Sequence, residues 1–224
     1  MQPQTSRTNP NGNPLTEAMQ TLAPNIGPLI AGLVVVFWGL RIWIAGTVFP
    51  WMGVGSSGLI LCGLVLPLVA WRRPRWRRVT EGVLFVLVTA AFLAWIYWQV
   101  FQNPAYGTDE LAFDQYAAQL WMHGINPYRA SMAPAFQQFL VPVTYHTFTL
   151  NGHTITKLSY PALSFLLYVP ALALGLHAQA AVWVDAVFWI VANGILYLML
   201  PREYRWVAVL TLSFVQYTNY LVGG

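Results

Sequence analysis

The chain has 224 residues, 57% of them hydrophobic and only 8% charged, with a formal net charge of +4. A soluble domain carries about a quarter charged residues, and a disordered chain pairs low hydrophobicity with high charge, so both classes, a soluble enzyme included, are excluded. The positive balance does not point to nucleic acid: five of the eleven Lys and Arg fall within residues 72–78, where a membrane-topology signal accounts for them.

Residues 1–26 are polar and turn-rich (Asn9, Pro10, Gly12, Asn13, Pro14). They lack the basic-then-apolar layout of a secretory signal and are expected to form a flexible cytoplasmic tail. Residues 27–101 hold three stretches of the roughly 20 apolar residues that cross a bilayer, at 27–48, 53–71 and 82–101. Cys62 lies inside the second. As the only cysteine it forms no intrachain disulfide, and it reads as a buried inert thiol. A fourth stretch covers residues 180–200 and a fifth begins at Trp206. Eleven Trp, eleven Tyr and twelve Phe suit anchoring at two membrane interfaces.

Orientation follows from Lys and Arg in short loops. Arg72, Arg73, Arg75, Arg77 and Arg78 join the second and third stretches, so that loop and the N-terminus are expected on the cytoplasmic side. Residues 102–179 then form an external loop. A shorter apolar stretch, residues 160–174, contains Pro161 and Pro170 and is followed by Gly175. If it crossed the membrane, Arg202 and Arg205 would fall outside. A re-entrant or interfacial helix is the better reading. Residues 180–224 supply the further spans, and the apolar run up to Gly224 is expected of the N-terminal portion of a longer protein.

The external loop concentrates the acids. Asp109, Glu110 and Asp114 fall within six residues, whereas the other four acids are dispersed. Thr108 reads as a helix N-cap and Gly124 as the C-terminal stop, which predicts a helix from about 109 to 123. Glu110 and Asp114 share a face. Asp109 leads the apolar positions Phe113, Tyr116, Ala117 and Leu120. Two readings stand: acids that complement the helix dipole, or a carboxylate held at an apolar boundary as a general base. Residues 124–129 form an Asn-Pro turn that carries Tyr128 and Arg129. Alternation around Asn151-Gly152 predicts a β-hairpin with a type I′ turn. His146 and His153 have no spaced ligand partners and read as ordinary loop histidines. Lys157 either snorkels beside the membrane or meets a phosphate together with Arg129. The expected fold is therefore all-α, a multi-span transmembrane helix bundle whose external loop carries short helices and a β-hairpin.

Three segments in this order, Thr108-Asp109-Glu110, Gly124-Ile125-Asn126-Pro127-Tyr128 and Lys157-Leu158-Ser159-Tyr160-Pro161, resemble the GT-C superfamily of membrane glycosyltransferases. The closest likeness is to bacterial mannosyltransferase-like enzymes that use polyprenyl-phosphate sugars. Ala162 stands where that family often has a second proline, and the acidic loop follows the third span rather than the first. The resemblance implies a catalytic Asp109 with Glu110 beside it. The candidate substrate-binding residues are Asp114, Asn126, Tyr128, Arg129, Lys157 and Tyr160. The implied partners are a lipid-linked sugar donor, membrane lipids and a glycan or lipid acceptor on the outer face, with no nucleic acid. Basic side chains or a divalent cation would steady the departing phosphate. The alternatives are a non-catalytic protein of polysaccharide assembly and a transporter. The latter expects ionisable groups on several spans near the midplane.

Overall fold

The structure, a computed structural model, describes residues 14–45, 50–102 and 105–213. Among these residues the regular elements are all helical, with no strand. The helices are α1 (Pro14–Ala45), α2 (Pro50–Arg72), α3 (Arg77–Gln102), α4 (Asp109–Met122), α5 (Ala133–Gln138), α6 (Ala162–Leu166), α7 (Val169–Ala173), α8 (Ala180–Met199) and α9 (Trp206–Leu212). Four segments are long and apolar enough to cross a membrane: Ile26–Ile44, Met52–Arg72, Pro74–Gln102 and Ala180–Met199. These match the four stretches read from the sequence. The fifth is described only as far as α9 and Ser213, and its remainder lies outside the described residues.

Helix α1 begins at Pro14, well ahead of the expected end of the tail. Proline is suited to the first helical position because its φ is preset, and Leu15, Glu17, Ala18, Met19 and Gln20 are strong helix formers. The expected β-hairpin is corrected. Residues 147–155 do reverse direction, through Thr149 N to His153 O at 2.8 Å and Ile155 N to Thr147 O at 2.9 Å. The ladder amounts to one isolated bridge between Phe148 and Thr154. A type I′ turn needs positive φ at both central residues. Here Gly152 has φ +78° and Asn151 does not, while Gly152 N bonds Thr149 O. That is a tight turn followed by a left-handed glycine, too short-armed to build strands.

The chain divides into two compact units, with boundaries inside α3 after Val88 and inside α8 after Ile195. The first comprises Met1–Val88 and Leu196–Leu210. Its centre is the contact of α1 with α2, where glycines let the backbones meet. A Cβ on Gly32 would lie 2.4 Å from Gly63 O, and one on Gly63 would lie 2.6 Å from Gly32 O. Such small-residue contacts are how helices associate where apolar burial alone gives no drive. Val35 and Trp38 are fully buried in this unit.

In the second unit, α4 packs against α5, α6 and α7. Its N-terminus is capped as the sequence predicts: Thr108 Oγ1 accepts from Leu111 N. Its C-terminus closes by a Schellman motif, with Gly124 at φ +73°, Gly124 N bonded to Trp121 O and Ile125 N to Leu120 O. The apolar stretch after Tyr160 forms α6 and α7, which together are too short to span. Phe165, Tyr168 and Leu172 are buried on one side, while Leu163, Leu167 and Leu174 are exposed on the other. An apolar layer with one face packed and one open suits an interfacial position.

Candidate functional site

The acids of α4 part company in the fold. Asp109 and Asp114 are buried, whereas Glu110 is exposed. The buried face of α4 consists of Asp109, Ala112, Phe113, Asp114, Gln115, Ala117 and Ala118, so three alanines and one phenylalanine accompany three polar residues. Buried polar groups need partners, and each of the three has one. Asp109 Oδ2 accepts from Thr147 N at 2.6 Å, which fixes the start of the 147–155 turn to α4. Asp114 Oδ1 accepts from Ser164 Oγ at 2.8 Å, and Ser164 Oγ also contacts Pro161 O at 2.8 Å.

Gln115 is a hub that the sequence did not reveal. Its Oε1 accepts from Tyr106 OH and from Ala181 N, and its Nε2 donates to His177 O at 2.8 Å. One neutral side chain thereby joins the segment before α4 to the start of α8. Nearby, Tyr168 OH donates to Asp185 Oδ1 at 3.1 Å. Burial and the charge of Asp185 together hold the Tyr168 phenol well above its ordinary range, so it remains a donor.

The electrostatics single out Asp114. Burial pushes its carboxyl up to about 6, the Ser164 hydrogen bond pulls it down, and the charges of Glu110 and Asp185 push it up. The Tyr160 phenol is pushed up to about 12, first by burial and then by Glu110, Asp109 and Asp114. Tyr160 therefore lies within the field of all three acids of α4.

The two proline-containing motifs also meet. Asn126 Oδ1 accepts from Tyr128 N at 3.0 Å, forming an Asx turn. Tyr128 OH donates to Tyr160 O at 2.8 Å, across 32 residues of chain. Tyr128 and Trp121 both pack against Phe165 of α6. The turn at Asn126 is thus held against the corner at Tyr160, beside the acids. Arg129 and Lys157 are exposed, and neither contacts the acids among the described residues.

The histidines have structural settings. His146 stacks on Phe136 at 3.8 Å between centroids, with Nε2 3.2 Å from Val141 O. His153 lies in the turn, where its backbone bonds Thr149. Among the described residues no three His, Cys, Asp or Glu side chains are grouped to hold a metal ion. Tyr106, Gln115, Ser164, Tyr168 and Asp185 belong to this network and were not read as site residues from the sequence.

Comparison with known protein families, with curated proteins and with solved structures finds no match to this chain.

Proposed function

We propose that this chain is a membrane glycosyltransferase of the GT-C kind, moving a sugar from a polyprenyl-phosphate donor to an acceptor hydroxyl on the outer face. One observation carries the reading: buried Asp109 and Asp114 lie on one helix, within the field of Tyr160, in the segment that leads into the short apolar pair α6 and α7. A lipid-borne donor would present its phosphate at that depth. In an inverting transfer the acceptor oxygen bonds the sugar carbon as the bond to the phosphate oxygen breaks. A carboxylate takes the hydroxyl proton, and the polyprenyl phosphate departs.

Asp109 takes the role of base by its place in the motif, with Thr147 N orienting its carboxylate. Glu110 beside it contacts substrate. A second reading gives the proton to Asp114, because burial has already brought its carboxyl to about 6, near a working pH. Arg129 and Lys157 steady the departing phosphate, Asn126, Tyr128 and Tyr160 shape the pocket for the donor, and a divalent cation would add to the positive field. The N-terminus and residues 72–78 face the cytoplasm in this reading, and residues 102–179 face outward.

The test is release of polyprenyl phosphate from polyprenyl-phosphate hexose by the full chain in lipid vesicles. Release that disappears in Asp109→Asn or Asp114→Asn supports the reading. No release with any hexose donor in the wild-type protein would leave the non-catalytic assembly role in its place.

A further inference from the structure

A second charged site lies in the other unit and plays no part in the proposed transfer. The loop between α2 and α3 carries Arg72, Arg73, Arg75, Arg77 and Arg78, and the turn between α8 and α9 carries Arg202 and Arg205. The fold brings the two segments together. Pro74, Arg77, Arg78, Glu81, Arg202 and Glu203 line a cleft of about 290 Å³. Glu81 lies in the fields of Arg77, Arg205 and Arg202. Arg205 is held over the Tyr197 ring at 5.1 Å, and Tyr197 packs on Phe85 at 4.5 Å.

We propose that this cleft holds the phosphate of an anionic phospholipid headgroup. Seven arginines against Glu81 and Glu203 leave the surrounding face strongly positive. Guanidinium groups suit phosphate, because their planar donor fork matches its oxygens. Arg78 and Arg202 are exposed at the cleft and open to a ligand. Glu81 and Glu203 accept hydrogen bonds, so a headgroup that also brings hydroxyls, such as glycerol, satisfies both kinds of wall. The volume lies near the lower end of ligand clefts, about 300–1,000 Å³, which fits a headgroup rather than a whole lipid. A deeper pit of about 20 Å³ shares Glu81, Arg202 and Glu203 and is floored by Gly27, Ala31 and Val209. It is too small to admit an acyl chain.

A lipid is favoured over a free phosphate by what flanks the cleft. Trp71 and Trp76 on one segment and Tyr204 on the other are exposed, as expected of aromatic anchors at headgroup depth. The helices adjoining the cleft are membrane-crossing candidates, and basic pockets between such helices are where anionic headgroups bind.

The experiment is native mass spectrometry of the purified full chain, titrated with phosphatidylglycerol, with phosphatidylcholine and, separately, with phosphatidylglycerol in the presence of inorganic phosphate. The wild type should retain phosphatidylglycerol in preference to phosphatidylcholine by about tenfold or more. Arg78→Gln combined with Arg202→Gln should remove most of that preference. Arg72→Gln combined with Arg75→Gln removes the same charge outside the cleft and should leave most of it. Arg78→Lys with Arg202→Lys should weaken binding less than the glutamine pair. Equal retention of the two lipids by the wild type would overturn the proposal without use of any variant. Equal loss in the two glutamine pairs would overturn it in favour of a diffuse field. Displacement of the lipid by millimolar inorganic phosphate would overturn the lipid as occupant.

Discussion

The Ser164 hydroxyl donates to the Asp114 carboxylate at 2.8 Å and ties α6 to the buried face of α4. The same hydroxyl contacts Pro161 O, so the proline corner that starts α6 also sets the direction of the donor. An acid on one helix and a short apolar helix on the next are thereby held as one piece. The tie opposes burial: burial favours the neutral carboxyl, and a hydroxyl donor favours the charged one.

Asp114 should make stability fall as pH rises through about 6. Its folded carboxyl lies at about 6 against an ordinary value of 3.8. Between those values the folded state binds more protons than the unfolded, so this contribution is full below about pH 4 and is lost as pH rises through 6. The difference in thermal midpoint between wild type and Asp114→Asn, followed from pH 4 to 8, should change between about pH 4 and 6 and level off above that. Ser164→Ala removes the one interaction that lowers the carboxyl and should extend the upper end of that range to higher pH. A difference that is flat with pH would refute the assignment.

Asp109 permits separation of charge from structure. In Asp109→Asn the amide oxygen still accepts from Thr147 N, whereas Asp109→Ala leaves that N–H without its carboxylate. The alanine variant should lose about 1–3 kcal/mol of stability and expose residues 147–155 to protease. The asparagine variant should stay folded, yet lose about 10²-fold or more in transfer rate if Asp109 is the base. Near-normal turnover in Asp109→Asn would pass the role to Asp114.

Close backbone approach predicts a local intolerance in the first unit. A Cβ on Gly63 meets Gly32 O at 2.6 Å and Val36 Cγ2 at 2.8 Å. Gly63→Ala should cost about 1–3 kcal/mol by overpacking, read as a lower thermal midpoint in detergent. Gly53 has nothing within 4 Å of a built Cβ, and Gly53→Ala should leave the midpoint unchanged or slightly raised. Equal midpoints for the two variants would show that α1 and α2 do not meet at Gly63.

Much of this was legible because it depends on local chemistry. The four membrane-crossing candidates follow from apolar length, α4 from the Thr108 cap and the Gly124 stop, and the short apolar pair α6 and α7 from prolines in a short apolar run. The hairpin was misread because an Asn-Gly pair permits positive φ at both residues without requiring it, and only Gly152 takes it. Gln115 carried no sequence signal at all. Its partners are Tyr106, His177 and Ala181, and nothing in the local pattern around a neutral glutamine announces contacts so far along the chain. The unequal burial of Asp109, Glu110 and Asp114 likewise depends on what α6 and the 147–155 turn bring against α4.

Leu140 offers a gain in stability. It occupies the position after the α5 cap at φ +55°, with Val141 N bonded to Phe136 O in the Schellman pattern. A left-handed conformation costs a non-glycine residue about 1–2 kcal/mol, and glycine is the usual occupant. The Leu140 side chain is 62% exposed, so little packing is lost with it. Leu140→Gly should raise stability by up to about 1 kcal/mol once the added freedom of the unfolded chain is deducted. A lowered thermal midpoint would mean that the exposed leucine is held by lipid.

Membrane sidedness is open to a direct test by thiol labelling in intact cells, with Cys62→Ser as background. Asn151→Cys should react with an impermeant maleimide from outside, whereas Arg75→Cys and Arg202→Cys should react only after permeabilisation. Ala162–Ala173 is the apolar helical stretch in question, and twelve residues at 1.5 Å each extend about 18 Å. The hydrocarbon core is about 30 Å thick, so on this expectation the stretch would return to the side from which it came. Ala180–Met199, at 20 residues, would then carry the chain across and place Arg202 and Arg205 on the same side as the arginines of residues 72–78. Labelling of Arg202→Cys from outside would require α6 and α7 to cross, and would separate the two halves of the arginine cleft. Labelling of Arg75→Cys from outside would invert the whole arrangement and put the acids of α4 in the cytoplasm.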